Sequence, residues 1–212
     1  MKQIPNLLTA LRLVLSVLVF AALLVIGAGC WPAASFALAR FALVGFVIAA
    51  LTDFFDGWLA RRWEVVSLAG AILDPIGDKI LVCGTILGLL SIAGLAQETE
   101  ARLNLMTVLL APSALILFRE FAVSALREVL APMGIKLPVT FVAKTKTTLQ
   151  LVALGALMIV LLWPAWGLGE TLPPIALVMA EVLYALAAVI TLWTGLEYGR
   201  AAWVALKARA AG

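Results

Sequence analysis

The chain has 212 residues, of which 65% are hydrophobic and only 13% charged, and it contains no histidine. A soluble domain carries about 25% charged and about 45–50% apolar residues, so an ordinary soluble domain is excluded, and two Cys cannot build a disulfide framework. Without His there is no Ser-His-Asp triad, no His-bearing zinc site and no His proton switch, which leaves an all-α integral membrane protein whose chemistry runs on carboxylates, amines, guanidiniums and hydroxyls.

A transmembrane helix needs about 20 mostly apolar residues. Leu13 to Ala39 is one uncharged stretch, interrupted by Gly29, Trp31 and Pro32. It predicts a first helix over about 5–28 and a second over about 33–56. Pro5 suits a helix start, where its missing N–H would be unpaired anyway. The apolar run is too long for a removable signal peptide, and no small-x-small cleavage site follows it. Asn6, Thr9 and Arg12 give the start of this helix two hydrogen-bonding side chains and one cation. They read either as ligands for a polar group or as an interfacial helix start with a snorkelling arginine. Cys30 lies at the outer end of the first helix.

The second helix carries Arg40 near its outer end and closes on Asp53 and Asp56. These acids are three residues apart and share a face. A short loop holding Arg61 and Arg62 is expected next, then a third helix over about 70–96. Asp74 and Asp78 lie near its start, four residues apart and again on one face. Pro75 either kinks this helix or marks its first turn. Cys83 lies deeper, too far from the level of Cys30 for a disulfide. As an antiparallel hairpin, the second and third helices return both acid pairs to one depth, and the small Gly57, Ala60 and Gly70 let the backbones approach.

Four of the twelve acids thus fall in one window. Ionisable groups in a span are costly and mark function by default, and four carboxylates side by side repel unless paired. Oxygen-only ligation suits Mg²⁺, Mn²⁺ or Ca²⁺, and four acids can hold two such ions, typically about 3.5–4 Å apart. Salt bridges that cap the helix ends are the alternative.

The fourth helix is predicted over about 104–130, with Arg119 inside it, Glu120 next and Arg127 at its end. The fifth spans about 143–163 and opens on Lys144 and Lys146; the sixth spans about 173–207 and carries Glu181. A phosphomonoester wants several cationic donors, which Arg119, Lys144 and Lys146 supply. The alternatives are a pair between Arg119 and Glu120, and a purely topological role for the others, the preferred reading of Arg127 and Lys136. Arg40 and Glu181 lie at similar depth from the outer side and are expected to pair, since neither should face lipid alone.

Six helices use the whole chain as one membrane domain. With an even number of spans both termini share a side, together with Lys2, Arg61, Arg62, residues 127–146 and the Arg200–Arg209 tail. Among the Lys and Arg residues only Arg102 lies in the opposite loops, beside Glu98, Glu100 and Glu170. By the positive-inside rule both termini are cytoplasmic, and Arg200, Lys207 and Arg209 are placed to meet anionic lipid.

Asp53, Asp56, Gly57, Ala60, Arg61, Gly70, Asp74 and Asp78 spell D-x2-D-G-x2-A-R-x8-G-x3-D-x3-D, eight fixed positions across 26 residues. This resembles the signature of the CDP-alcohol phosphotransferases. The resemblance extends to IPNLLTALRLVLS, LDPIGDK, REFAVSALRE, AKTKTTLQ and AAVITLWTGLEY. It implies that family's fold: six transmembrane helices, usually in a homodimer, with the active site open to the cytosol of a bacterial inner membrane. The implied reaction moves a phosphatidyl group from CDP-diacylglycerol to sn-glycerol 3-phosphate and releases CMP.

By the same resemblance Asp53, Asp56, Asp74 and Asp78 hold two Mg²⁺, or Mn²⁺ in their place, and Asp78 is the general base. Arg61 holds donor phosphates, Gly57 and Ala60 leave room for cytidine, and Gly70, Asn6, Thr9 and Arg12 complete the donor site. The AKTKTTLQ segment adds Lys144 and Lys146 to Arg119 on the acceptor phosphate. Siblings that transfer to phosphatidylglycerol, as a cardiolipin synthase does, or to an inositol phosphate share the signature. A cation transporter is the rival of another class, but the acids sit at one end of the membrane and not at its midplane. No nucleic-acid partner is expected.

Overall fold

The computed structural model describes the backbone of residues 4–63, 68–95, 99–135, 141–169 and 171–210. Side chains are described at these positions except 4–6, 53–63, 68–72, 74, 99–103, 141–144 and 210. The described chain is all helical, with no strand: α1 (Ile4–Gly27), α2 (Ser35–Trp63), α3 (Leu68–Ala93), α4 (Thr99–Leu130), α5 (Phe141–Leu161) and α6 (Pro174–Ala210). Short 3-10 turns at Pro32–Ala34 and Trp163–Trp166 precede α2 and follow α5. In lipid every backbone polar group must be satisfied within the segment, and a Leu- and Ala-rich helix achieves this.

Five helices are long and apolar enough to cross a membrane: Leu7–Gly27, Pro32–Thr52, Pro75–Ala93, Asn104–Leu130 and Pro174–Arg209. In α5 the apolar part, Thr145–Leu161, is shorter. The 37 residues of α6 give about 55 Å at 1.5 Å per residue, well beyond a hydrocarbon layer of about 30 Å. Pro75 lies inside α3 and Pro112 inside α4, with helix on both sides of each. Gly29, with φ of 63°, ends α1 in the left-handed region that favours glycine.

The largest departures from the expected bounds are the end of α2, at Trp63 against about 56, and the start of α4, at Thr99 against about 104. α2 continues through Trp63, so Arg61 and Arg62 lie on its last turn and not in a loop. Ala and Arg are strong helix formers, and nothing obliges a helix to stop where the hydrocarbon does. Residues 64–67, which join α2 to α3, lie outside the described residues.

The helices form two groups. α1 packs along both α2 and α3, while α4 and α5 both pack on α6; α3 joins the groups through α4 and α5. Among the described residues α2 and α3 scarcely meet, because α1 lies against both. Gly45 of α2 and Gly84 and Gly88 of α3 make this possible. A Cβ at Gly88 would stand 2.5 Å from Leu23 Cβ, and one at Gly45 2.9 Å from Val19 Cγ2. Small residues thus bring backbones together as anticipated, but at these positions and around α1. The proposed approach through Gly57, Ala60 and Gly70 lies outside the described side chains.

Leu23, Phe46, Ile86, Leu109, Ile116, Leu154 and Met158 are buried in the centre. Large apolar side chains such as Phe118, Ile175 and Val189 point outward, as expected where the surrounding solvent is lipid. Cys30 and Cys83 are both free thiols. The expected Arg40–Glu181 pair is not formed. Arg40 Nε instead donates to the carbonyl of Ala165, at 2.9 Å, in the turn after α5. Similar depth did not imply proximity, because α6 packs on α4 and α5 and not on α2.

Candidate active site

Asp53 and Asp56 lie on the last third of α2, and Asp74 and Asp78 on the first half of α3. Only residues 64–67 lie between the two helices in sequence. The side chains of Asp53, Asp56, Gly57, Ala60, Arg61, Gly70 and Asp74 lie outside the described residues, as does that of Asn6. Asp78 is described, and its surroundings are informative.

The Asp78 carboxylate is half open, at 51% exposure, and its Oδ1 stands 3.2 Å from Nη1 of Arg12, whose side chain is wholly buried. Gly77 clears the path for that guanidinium, since a Cβ there would meet Arg12 Nε at 3.3 Å. Thr9, one turn earlier on α1, is buried too. One turn later the Ser16 hydroxyl donates to the Arg12 carbonyl at 2.8 Å. Thr9, Arg12 and Ser16 therefore form a polar stripe at helical spacing on an otherwise apolar helix. Sequence reasoning selected Thr9 and Arg12 as donor-site residues; the structure places Arg12 on Asp78.

A second polar cluster joins α4, α5 and α6. Arg119 is 7% and Lys146 4% exposed. Glu120 lies between them: its Oε1 accepts from Arg119 Nη1 at 3.3 Å, from Lys146 Nζ and from Gln150 Nε2 at 3.4 Å. Gln150 also donates to the Thr191 hydroxyl at 2.8 Å, and Thr191 donates to the Ala187 carbonyl at 2.6 Å. The Arg119 guanidinium lies 5.6 Å from the centre of the Tyr198 ring. Arg127 sits over the same ring at 4.9 Å and donates to its hydroxyl at 2.7 Å. Arg127 thus has a structural partner, Tyr198. Lys144 lies outside the described side chains.

The two clusters are linked through α3. Cys83 lies within electrostatic reach of Lys79, Glu120 and Lys146. Cys83 follows Asp78 by five residues, a rise of about 7.5 Å along α3. Of the second cluster's members, Arg119 and Lys146 were selected from sequence and Glu120 was seen only as a neighbour. Gln150, Thr191 and Tyr198 were missed. Their signal was present, because polar side chains inside a span must find partners, and Lys146 with Gln150, or Thr191 with Tyr198, recur at helical spacing.

Asp78 is locked to a buried arginine, and a second cluster holds two more buried cations, Arg119 and Lys146. That combination suits a strongly anionic substrate. A protein of Rickettsia bellii named CDP-diacylglycerol–glycerol-3-phosphate 3-phosphatidyltransferase is 39% identical over 156 residues, covering 74% of this chain and 75% of its own length. One of the same name from Salmonella typhimurium is 39% identical over 160 residues, with 74% and 75% covered. Another from Cereibacter sphaeroides is 46% identical over 119 residues, 56% of this chain and 49% of that protein. The family model for CDP-alcohol phosphatidyltransferase matches residues 2–193, from the polar start of α1 to the Thr191 turn of α6. Apart from Tyr198, both clusters fall inside that match, and the chain belongs to the CDP-alcohol phosphatidyltransferase family.

Proposed function

We propose that the chain transfers the phosphatidyl group of CDP-diacylglycerol to a hydroxyl of sn-glycerol 3-phosphate, releasing CMP and leaving phosphatidylglycerol phosphate in the membrane. The observation that carries this reading is the full D-x2-D-G-x2-A-R-x8-G-x3-D-x3-D signature, whose acids fall on α2 and α3. The names of the relatives support the choice of donor and acceptor.

The donor set fits a hard divalent cation, since it offers four carboxylates and the chain has no histidine. Asp53, Asp56, Asp74 and Asp78 would hold two Mg²⁺, with Mn²⁺ as a substitute. When bound, these ions offset the charge of the donor pyrophosphate and the charge that develops on CMP. Asp78 removes the proton from the attacking hydroxyl, and a carboxylate suffices for that role. Arg12 keeps that carboxylate in one orientation through the 3.2 Å ion pair. Arg61 takes donor phosphate, Gly57, Ala60 and Gly70 leave room for the nucleotide, and Asn6 and Thr9 line the donor side.

Six spans, both termini on the cytoplasmic side of a bacterial inner membrane, and a homodimer belong to the same reading. The charge asymmetry between loops supports the orientation. Family resemblance supports the dimer.

Arg119 and Lys146, joined by Lys144, take the acceptor phosphate. Arg119→Ala is expected to raise the apparent KM for sn-glycerol 3-phosphate by about tenfold or more, as loss of a charged hydrogen-bond donor should. The KM for CDP-diacylglycerol should stay within about twofold, because only acceptor binding is lost. Steady-state kinetics in mixed micelles measures both constants. Equal changes in the two would contradict the assignment.

A further inference from the structure

We propose that Glu120 is a positioning residue of the acceptor site, holding Arg119 and Lys146 at the separation and orientation that receive a phosphomonoester. The proposal rests on the acceptor-site reading above and extends it to a residue of the opposite charge, one that would at first sight repel the ligand.

Arg119 and Lys146 come from different helices and are both more than nine-tenths buried. Two like charges taken out of water together are costly unless an anion stands between them. Glu120 supplies that anion, with one carboxylate oxygen engaged by both cations and by the Gln150 amide. Gln150 is anchored on Thr191 of α6, so the carboxylate is fixed from three helices.

Arg119 is constrained from α6 as well. A Cβ at Gly195 would fall 2.8 Å from Arg119 Cγ, so the glycine backbone lies directly against the arginine stem. Tyr198 lies under the guanidinium. Among the described residues Arg119 Nε is buried with no hydrogen-bond partner. One acid facing two cations leaves a net positive charge and a spare donor, and a phosphomonoester provides the complementary oxygens. A rigid pair set in advance avoids the entropy of ordering two long side chains when the ligand arrives.

The test is kinetic. Glu120→Gln keeps the shape and removes the charge. It should raise the KM for sn-glycerol 3-phosphate by about tenfold or more, since displacing a positioning group by an ångström can cost this much. The KM for CDP-diacylglycerol should change by less than about twofold, a split that general destabilisation would not produce. Because Glu120 acts through Arg119 and Lys146 together, adding Glu120→Gln to an Arg119→Ala/Lys146→Met variant should change its acceptor KM by less than about twofold. Glu120→Asp keeps the charge balance, and so the fold, but shortens the reach; it should raise the acceptor KM by about threefold or more, with the same split.

Unchanged acceptor KM in Glu120→Gln and Glu120→Asp, parallel changes in both KM values, or an undiminished effect of Glu120→Gln in the Arg119→Ala/Lys146→Met background would overturn the proposal. If Arg119→Ala and Lys146→Met leave the acceptor KM unchanged, the acceptor-site reading itself fails and this proposal with it. If those two variants act while both Glu120 variants do not, only the present proposal fails.

Discussion

Asp78→Asn is expected to lower phosphatidyl transfer by about 10³-fold or more, because a positioned general base contributes about 10²–10⁴-fold and this carboxylate is also assigned to metal. The substitution is nearly isosteric. The amide oxygen still accepts from Arg12, whose guanidinium stands 3.2 Å from Asp78 Oδ1. Packing of α1 on α3 rests on Leu23 against Gly88 and Phe20 against Gly84, none of which the substitution touches. The variant should therefore fold, insert and bind CDP-diacylglycerol, yet release almost no CMP. Titration of the donor into purified variant measures the first property, and CMP release measures the second. Near-normal turnover would remove Asp78 as the base.

Removal of divalent ions is the second large effect. Excess chelator should stop CMP release, since Lewis-acid stabilisation of a transferring phosphoryl group is worth several kcal/mol. Adding Mg²⁺ or Mn²⁺ should restore it. Helical content should not change, because the described core is apolar, centred on Leu23, Phe46, Ile86, Ile116 and Leu154. Circular dichroism and CMP release on the same sample separate the two effects. Full activity with excess chelator would contradict the metal assignment. Collapse of the helices would show that the ions support the fold and not only the chemistry.

Much of this molecule could be read from residue order. Hydropathy marked the apolar stretches, because in lipid an apolar run of sufficient length has little choice but to be helical; five of them are long enough to cross a membrane among the described residues. Where helices end was harder. Arg61 and Arg62 continue α2 as readily as they would start a loop, and polarity alone marks the edge of hydrocarbon, not the edge of helix.

Which helices touch was harder still. Glycines at 45, 84 and 88 are scattered over two helices, and only the assembled bundle shows that all face α1. The Arg40–Glu181 pairing failed for the same reason: depth can be counted along a helix, whereas direction around the bundle depends on packing. Arg40 found a backbone carbonyl in the turn after α5, a partner that no residue pattern advertises.

The site divides along similar lines. The aspartates stand out in the sequence because their spacing is tight and the chemistry of oxygen ligands is restrictive, but of the four only the Asp78 side chain lies among the described residues. Arg12 was readable as a polar anomaly near the start of α1, but its role was not, since contact with Asp78 depends on how α1 lies against α3. The position of Glu120 was equally hidden. Next to Arg119 in sequence, it reads as a simple neutralising neighbour. Only the approach of α5 reveals that it also receives Lys146 and Gln150.

Purified protein in mixed micelles should release CMP from CDP-diacylglycerol with sn-glycerol 3-phosphate and Mg²⁺ present, and much more slowly when phosphatidylglycerol, an inositol phosphate or glycerol replaces the acceptor. CMP release that requires sn-glycerol 3-phosphate, with phosphatidylglycerol phosphate as the lipid product, is the predicted result. Release that prefers one of the other acceptors, or no release with any of them, would contradict it.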